Sequence, residues 1–158
     1  MDEFDRKILA ILQDDASGSN TEIAERIGLS PTPCWRRIRN LEEAGIIRKR
    51  VALLDRRKLN AGVTVFVSVR TNQHNQDWLD RFARVVDSIP EVVEFYRMAG
   101  DVDYLLRVVV PDIAAYDSVY KRLIERIELY DVSSSFAMEE LKYTTAVPLT
   151  YAAASTGS

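Results

Sequence analysis

The chain has 158 residues but a single cysteine, Cys34, and a single histidine, His74. One cysteine excludes an internal disulfide. One cysteine with one histidine also makes a zinc site within a single chain a poor fit. The same scarcity argues against catalysis, since no nucleophile–base constellation, phosphate loop or metal cluster is visible. His74 itself sits in a polar stretch, TNQHNQ. The expectation is a protein that is not an enzyme and carries no metal or other cofactor. No apolar run approaches the ~18 residues of a membrane span, and the opening MDEFDRK is acidic and polar, unlike a secretory leader. A cytoplasmic protein with no membrane partner is expected. Internal repeats and low-complexity segments are lacking as well.

Positive charge is also in short supply overall, with a formal net charge of −3. Its distribution matters more than its total. Residues 1–58 carry 12 Lys and Arg against 10 Asp and Glu, and residues 59–158 carry 9 against 14. The basic groups concentrate at Arg36, Arg37, Arg39, Arg48, Lys49, Arg50, Arg56, Arg57 and Lys58. Phosphate attraction follows local charge, so the first third of the chain can meet nucleic acid while the acidic remainder limits nonspecific binding.

That first third reads as a helix-turn-helix, with the motif spanning 20–39. Phe4, Ile8, Ile11 and Leu12 share one face of a helix over 2–13. Ser19 and Glu22 have capping-box spacing, and Ile23, Ala24 and Ile27 follow on one face. Gly28 supplies a left-handed stop. Ser30 restarts the chain as an N-cap, with Pro31 at the first helical position. At 100° per residue, Cys34, Ile38 and Leu41 form a buried stripe on the next helix. Thr32, Arg36, Arg39 and Asn40 fall on the opposite side, and Arg37 flanks the stripe. Arginine, amide and hydroxyl groups are those that contact base edges and phosphates in a major groove. Ser30, Thr32, Pro33, Arg36, Arg37, Arg39 and Asn40 are therefore the candidate DNA-binding residues. Arg48, Lys49 and Arg50, in the strand pair or wing expected over IIRKRVALLD, are candidates for phosphate contacts, although a solvated wing explains them almost as well. Cys34, on the buried stripe, is expected to be an inert apolar residue rather than a redox switch.

A polar linker is expected over 55–62. Beyond it, strand-period and helix-period segments alternate: a strand over 63–70, a helix over 76–89, strands over 91–99 and 104–111 joined by the GDVD turn, a helix after Asp112, and a last strand over 132–143. This β-α-β-β-α-β order predicts a ferredoxin-like unit. With both helices on one face, the other face is left apolar, with Phe66, Phe95 and Phe136 as candidates for it. Such a face usually pairs with a copy of itself. The fold class is α+β: an N-terminal winged helix-turn-helix over 1–54, a ferredoxin-like domain with a face for oligomerisation over 63–150, and a loose tail over 151–158.

The two halves together resemble the Lrp/AsnC family, the leucine-responsive, feast/famine regulators of bacteria and archaea. GLSPTPCWRRIRNLEEAGII (28–47) resembles that family's recognition-helix segment, GDVDYLL (100–106) with VPD (110–112) its turn and strand, and FAMEELKYTTAVPL (136–149) its closing strand. The likeness covers about residues 2–150. It implies a sequence-specific, nucleoid-associated transcriptional regulator of double-stranded DNA with a pseudo-palindromic operator. It implies homodimers built through the sheet domains, commonly assembling to octamers, and an amino-acid effector that alters assembly or DNA affinity. For the effector, the resemblance points to the GDVD turn. The backbone at Gly100 would take a carboxylate, and Asp101 or Asp103 an ammonium. Tyr96 and Met98, with Tyr104, would wall the side-chain pocket, and Thr144 and Thr145 would add hydroxyls. A plain hairpin turn also demands glycine and aspartate. Trp35 and FYRMAGDVDYLL look closer to the branch that includes cysteine-responsive regulators, with leucine and other branched-chain amino acids remaining open. The alternative function is a ligand-independent, architectural DNA-binding protein of the nucleoid.

Overall fold

A computed structural model describes residues 1–152. The chain divides into two compact units. One comprises Met1–Leu53 with the segment from Lys142 onward, and the other Leu54–Leu141.

The first unit contains α1 (Glu3–Asp14), α2 (Asn20–Ile27) and α3 (Pro31–Glu43). The capping box at Ser19 forms as the spacing predicts: its hydroxyl accepts from the Glu22 N–H at 3.2 Å, and the Glu22 carboxylate accepts from the Ser19 N–H at 2.6 Å. Gly28 ends α2 at φ 73°, a conformation that a side chain would strain. Ser30 stands at the N-cap of α3 without a side-chain cap bond. One of its two usual donors is missing, because the third helical residue is Pro33, which has no N–H to offer. Ile8, Leu9, Ile23, Ala24, Ile27, Cys34, Ile38 and Leu41 make the core.

Two features differ from expectation. Residues 46–54 form no strand pair; they run on from α3, with the Ile46 and Ile47 amides bonded to the Leu41 carbonyl at 3.0 and 3.1 Å. The closing segment also belongs here. Gln13 grips Val147 from both sides, donating to its carbonyl at 3.2 Å and accepting from its N–H at 3.1 Å. Leu149, in a short 3-10 turn (Leu149–Tyr151), packs against the core. Arg6 donates to the Ala152 carbonyl at 3.2 Å. The tail expected to be loose from residue 151 is therefore held through Ala152, and its remainder, 153–158, lies outside the described residues.

The second unit opens with the stretch expected to be a linker, which is a tight turn. The Ala61 N–H reaches back to the Arg56 carbonyl at 2.8 Å, and Asn60 takes φ 55°. Asparagine tolerates this left-handed geometry better than most residues. Then come β1 (Val63–Arg70), α4 (Gln76–Asp87), β2 (Val92–Arg97), β3 (Tyr104–Val110), α5 (Ile113–Arg126) and β4 (Asp131–Phe136). The sheet is antiparallel in the order β2-β3-β1-β4, the split β-α-β topology that the element order predicts.

Register decides which face each residue takes. Val65, Val67 and Val69 of β1 join Tyr104, Leu106, Val108 and Val110 of β3 in the core, with Trp78, Phe82 and Val86 of α4 and Tyr116, Val119 and Leu123 of α5. An irregularity between Val92 and Glu94 shifts the alternation of β2. Phe95, expected on the open face, consequently pairs with Leu106 and meets Phe82 edge-on at 5.2 Å between ring centroids. Phe136 also turns to the helical side, 5.4 Å from the Tyr116 ring. Of the three phenylalanines only Phe66 belongs to the open face, beside the Glu94–Arg107 ion pair (2.8 Å). The last strand stops at Phe136 rather than 143. Among the described residues, no helix is long and apolar enough to cross a membrane.

Phe82 is fully buried, within 5.3 Å of the Trp78, Phe95 and Tyr104 rings. Phe82→Ala should cost the sheet unit about 3–5 kcal/mol, read as a lowered denaturant midpoint. A midpoint unchanged within error would show that this ring cluster is not the keystone of the unit.

Candidate nucleic-acid interface and effector turn

The sequence of α3 sorts into two faces, and so does the folded helix. Cys34, Ile38 and Leu41 are buried, whereas Thr32, Trp35, Arg36, Arg39 and Asn40 are exposed. Ser30 is exposed at the helix start, and Pro33 is half-buried beside it. Burial pushes the Cys34 thiol above its ordinary range, which suits a small apolar core residue better than a reactive thiolate.

The arginines do different work. Arg37 turns toward α1, where its Nη1 donates to Asp2 at 2.7 Å and to Asp5 at 2.8 Å. Its guanidinium lies 5.5 Å from the centre of the Phe4 ring. Asp2 and Asp5 are themselves the capping box of α1. One arginine thus fastens α3 to the start of α1. Arg37, a candidate for DNA contact, is placed as an internal strut. Arg36 stays on the outer face. Arg39 is exposed, paired with Glu43 at 3.0 Å, with its guanidinium 5.6 Å from the centre of the Trp35 ring. Arg48 and Lys49 are exposed, and Arg50 pairs with Glu42 at 3.1 Å. The α1 clamp and the Trp35–Arg39 stack escape a reading based on hydrophobic periodicity. Both were nevertheless signalled, by the Asp2-x-x-Asp5 spacing and by a tryptophan four residues before an arginine on one helix.

At the GDVD turn, Gly100 takes φ 120°, outside the range that side chains favour, and a Cβ built there would meet nothing within 4 Å. Asp103 ties the turn down. Its carboxylate accepts from the Thr71 N–H at 2.8 Å, its carbonyl accepts from the Met98 N–H at 2.8 Å, and its own N–H donates to the Val69 carbonyl at 3.1 Å. Tyr96, Met98, Gly100 and Asp101 are exposed around it. Tyr104 is not with them. It pairs with Arg97, points to the helical side, and sits 5.7 Å from the Trp78 ring. Thr144 and Thr145 lie on the closing segment of the first unit, and the Thr144 hydroxyl accepts from the Ala146 N–H at 3.1 Å.

A two-faced helix carrying arginine, amide and hydroxyl groups outward, joined in one chain to a ferredoxin-like unit, defines a DNA-binding regulator of the helix-turn-helix class. Comparison with known proteins takes this further. Residues 1–48 match the winged helix-turn-helix DNA-binding family, and residues 64–147 match the Lrp/AsnC ligand binding domain. The chain is 54% identical over 149 residues to a glutamate uptake regulatory protein of Zymomonas mobilis, covering 94% of this chain and 91% of that protein. The crystal structure of an AsnC family transcriptional regulator from Agrobacterium tumefaciens superposes with a TM-score of 0.95 at 64% identity, covering 97% of this chain and all of that one. A transcriptional regulator of Neisseria meningitidis, solved in complex with L-Met, superposes at 0.90 with 38% identity, over 95% of this chain and 97% of that one. The chain belongs to the Lrp/AsnC family: it is a DNA-binding transcriptional regulator that carries that family's ligand binding domain.

The clamp sets a pH dependence. The Asp2 carboxyl is held below the usual carboxylate range, first by the Asp5 N–H and also by Arg37. A lowered folded-state pKa stabilises fully above the unfolded value, about 3.9, and the contribution is lost as pH falls through the folded value. Arg37→Ala should lower the stability of the first unit by about 1 kcal/mol at pH 7, read by urea unfolding. The gap between Asp2→Asn and the parent should close as the pH drops below about 3.9. A gap independent of pH would remove Asp2 from the clamp.

Proposed function

We propose that this regulator reads a pseudo-palindromic operator with the outer face of α3, and that an amino acid bound near the Gly100–Asp103 turn alters that binding or the assembly that presents it. The observation that carries the DNA reading is the sorting of α3. Cys34, Ile38 and Leu41 are spent on the core, and Thr32, Arg36, Arg39 and Asn40 are left outward, in the arrangement a major groove accepts. Ser30 and Pro33 start the same helix, and Arg48, Lys49 and Arg50 supply phosphate contacts next to it. Arg37 acts from behind, holding the helix in place. Residues 1–54 with the closing segment form the DNA-binding part, and residues 63–141 the ligand-binding part.

For the effector, an open turn with exposed backbone at Gly100, the acid Asp101, and the flexible apolar walls Met98 and Tyr96 suits an α-amino acid with an apolar side chain. The L-Met complex of the Neisseria regulator supports that class. Asp103 contributes by holding the turn in shape. A second copy of the chain covers the open sheet face around Phe66, giving the two-fold partner that a pseudo-palindrome requires, and dimers assemble further to octamers in the manner the family resemblance implies. The protein works among cytoplasmic DNA.

Arg36→Ala should weaken operator binding about tenfold or more with the melting temperature unchanged; equal affinity for operator would remove the outer face of α3 from recognition. A thermal-shift screen against the twenty amino acids should yield a ligand that raises the midpoint and changes operator affinity or oligomer size. A screen with no such ligand at millimolar concentration would favour the architectural, ligand-independent reading.

A further inference from the structure

Trp35 is 54% exposed on α3. It lies outside the core cluster of the unit, a costly place for a large indole unless it serves a contact. By helical geometry it stands about 100° from Cys34, on the Arg39 side of the outer face. The Arg39 guanidinium rests 5.6 Å from the centre of the indole, while its Nη2 bonds the Glu43 carboxylate at 3.0 Å. A guanidinium braced on one side by a ring and on another by a carboxylate has lost much of its rotamer freedom before any ligand arrives. An arginine that only neutralises phosphate gains little from this. An arginine that must meet two acceptors of one base in one plane gains a great deal, because bidentate contact with guanine O6 and N7 demands orientation. The indole beside it offers an apolar edge that matches the thymine methyl in the major groove.

We infer that Trp35 and Arg39 form one specificity-determining unit of the recognition helix, which selects a guanine neighbouring a thymine in each half-site. This rests on the proposal that α3 reads duplex DNA. In this unit Arg39 takes the guanine edge, Trp35 keeps it in plane and contacts the thymine methyl, and Glu43 fixes the far side of the guanidinium. The other outer residues, such as Arg36, add affinity with less dependence on sequence.

The test is selection of binding sites from randomised duplexes by the full-length parent, Trp35→Ala, Trp35→Phe and Arg39→Lys. Affinities are then measured on the selected duplex and on copies with uracil in place of thymine. The parent should favour guanine at one position per half-site by about tenfold over other bases. Uracil substitution at the neighbouring thymine should weaken the parent severalfold and leave Trp35→Ala unaffected. Arg39→Lys, which keeps the charge, should keep the salt dependence of binding and lose the guanine preference. Trp35→Phe, which retains an aromatic face, should keep the preference, and it guards against a folding defect in the alanine variant. Unchanged base preferences in both Trp35→Ala and Arg39→Lys would overturn the unit while leaving α3 as the reading helix. So would an equal loss of affinity on every duplex. A parent that selects no duplex at all would overturn the unit and the DNA-reading proposal together.

Discussion

Burial of Cys34, Ile38 and Leu41 beneath α3 is the constraint on which the DNA-binding unit depends. A helix of 13 residues can commit only about a third of its circumference to a core this small. Committing that third fixes the azimuth of every other side chain, and Arg37 and Trp35 fall on its two flanks. One flank closes inward on the acids that cap α1, and the other opens outward beneath Arg39. The chemistry of the exposed face is thus a geometric remainder of the apolar one, and a shift of one residue in the stripe would rotate Arg36 and Arg39 off the outer face.

The sheet unit obeys a similar economy. Alternation along β1 and β3 sends valine and leucine toward two helices, and the aromatic rings of α4 fill the space that smaller residues would leave. The turn at Gly100 is held by Asp103 from beneath, through Thr71, Val69 and Met98. That leaves the upper rim, with Asp101 and backbone amides, free of internal duties. Under the proposed function, a ligand would meet a rim whose backbone is already fixed by these bonds.

Much of this was legible in the chain because periodicity is a strong signal where burial is one-sided. The capping box at Ser19, the stop at Gly28, the stripe of α3 and the order of strands and helices follow from spacing alone. What failed did so for identifiable reasons. Phe95 changes face because an irregularity near Val93 interrupts a two-residue period, and alternation cannot foresee an extra residue. Tyr104 faces inward for the ordinary reason that it continues the buried row of β3; its nearness in sequence to the turn was a poor guide to its direction. Arg37 was grouped with its neighbours by charge, while its partners lie more than thirty residues away. Residues 137–148 keep a strand-like composition, yet the segment leaves the sheet after Phe136 to meet Gln13 and the first core. Long-range destinations of that kind have no local signature.

That last arrangement has a consequence for how the molecule is made. Val147, Leu149 and Ala152 complete a unit whose helices lie at the other end of the chain. Synthesis delivers the three helices before the sheet unit, and the segment that packs on the helical core after it. Domains usually fold as they emerge, but here the part that grips DNA is completed last, after the ligand-binding part already exists. A chain broken off during synthesis within the sheet unit would carry all three helices without the contacts that Val147, Leu149 and Ala152 make to them.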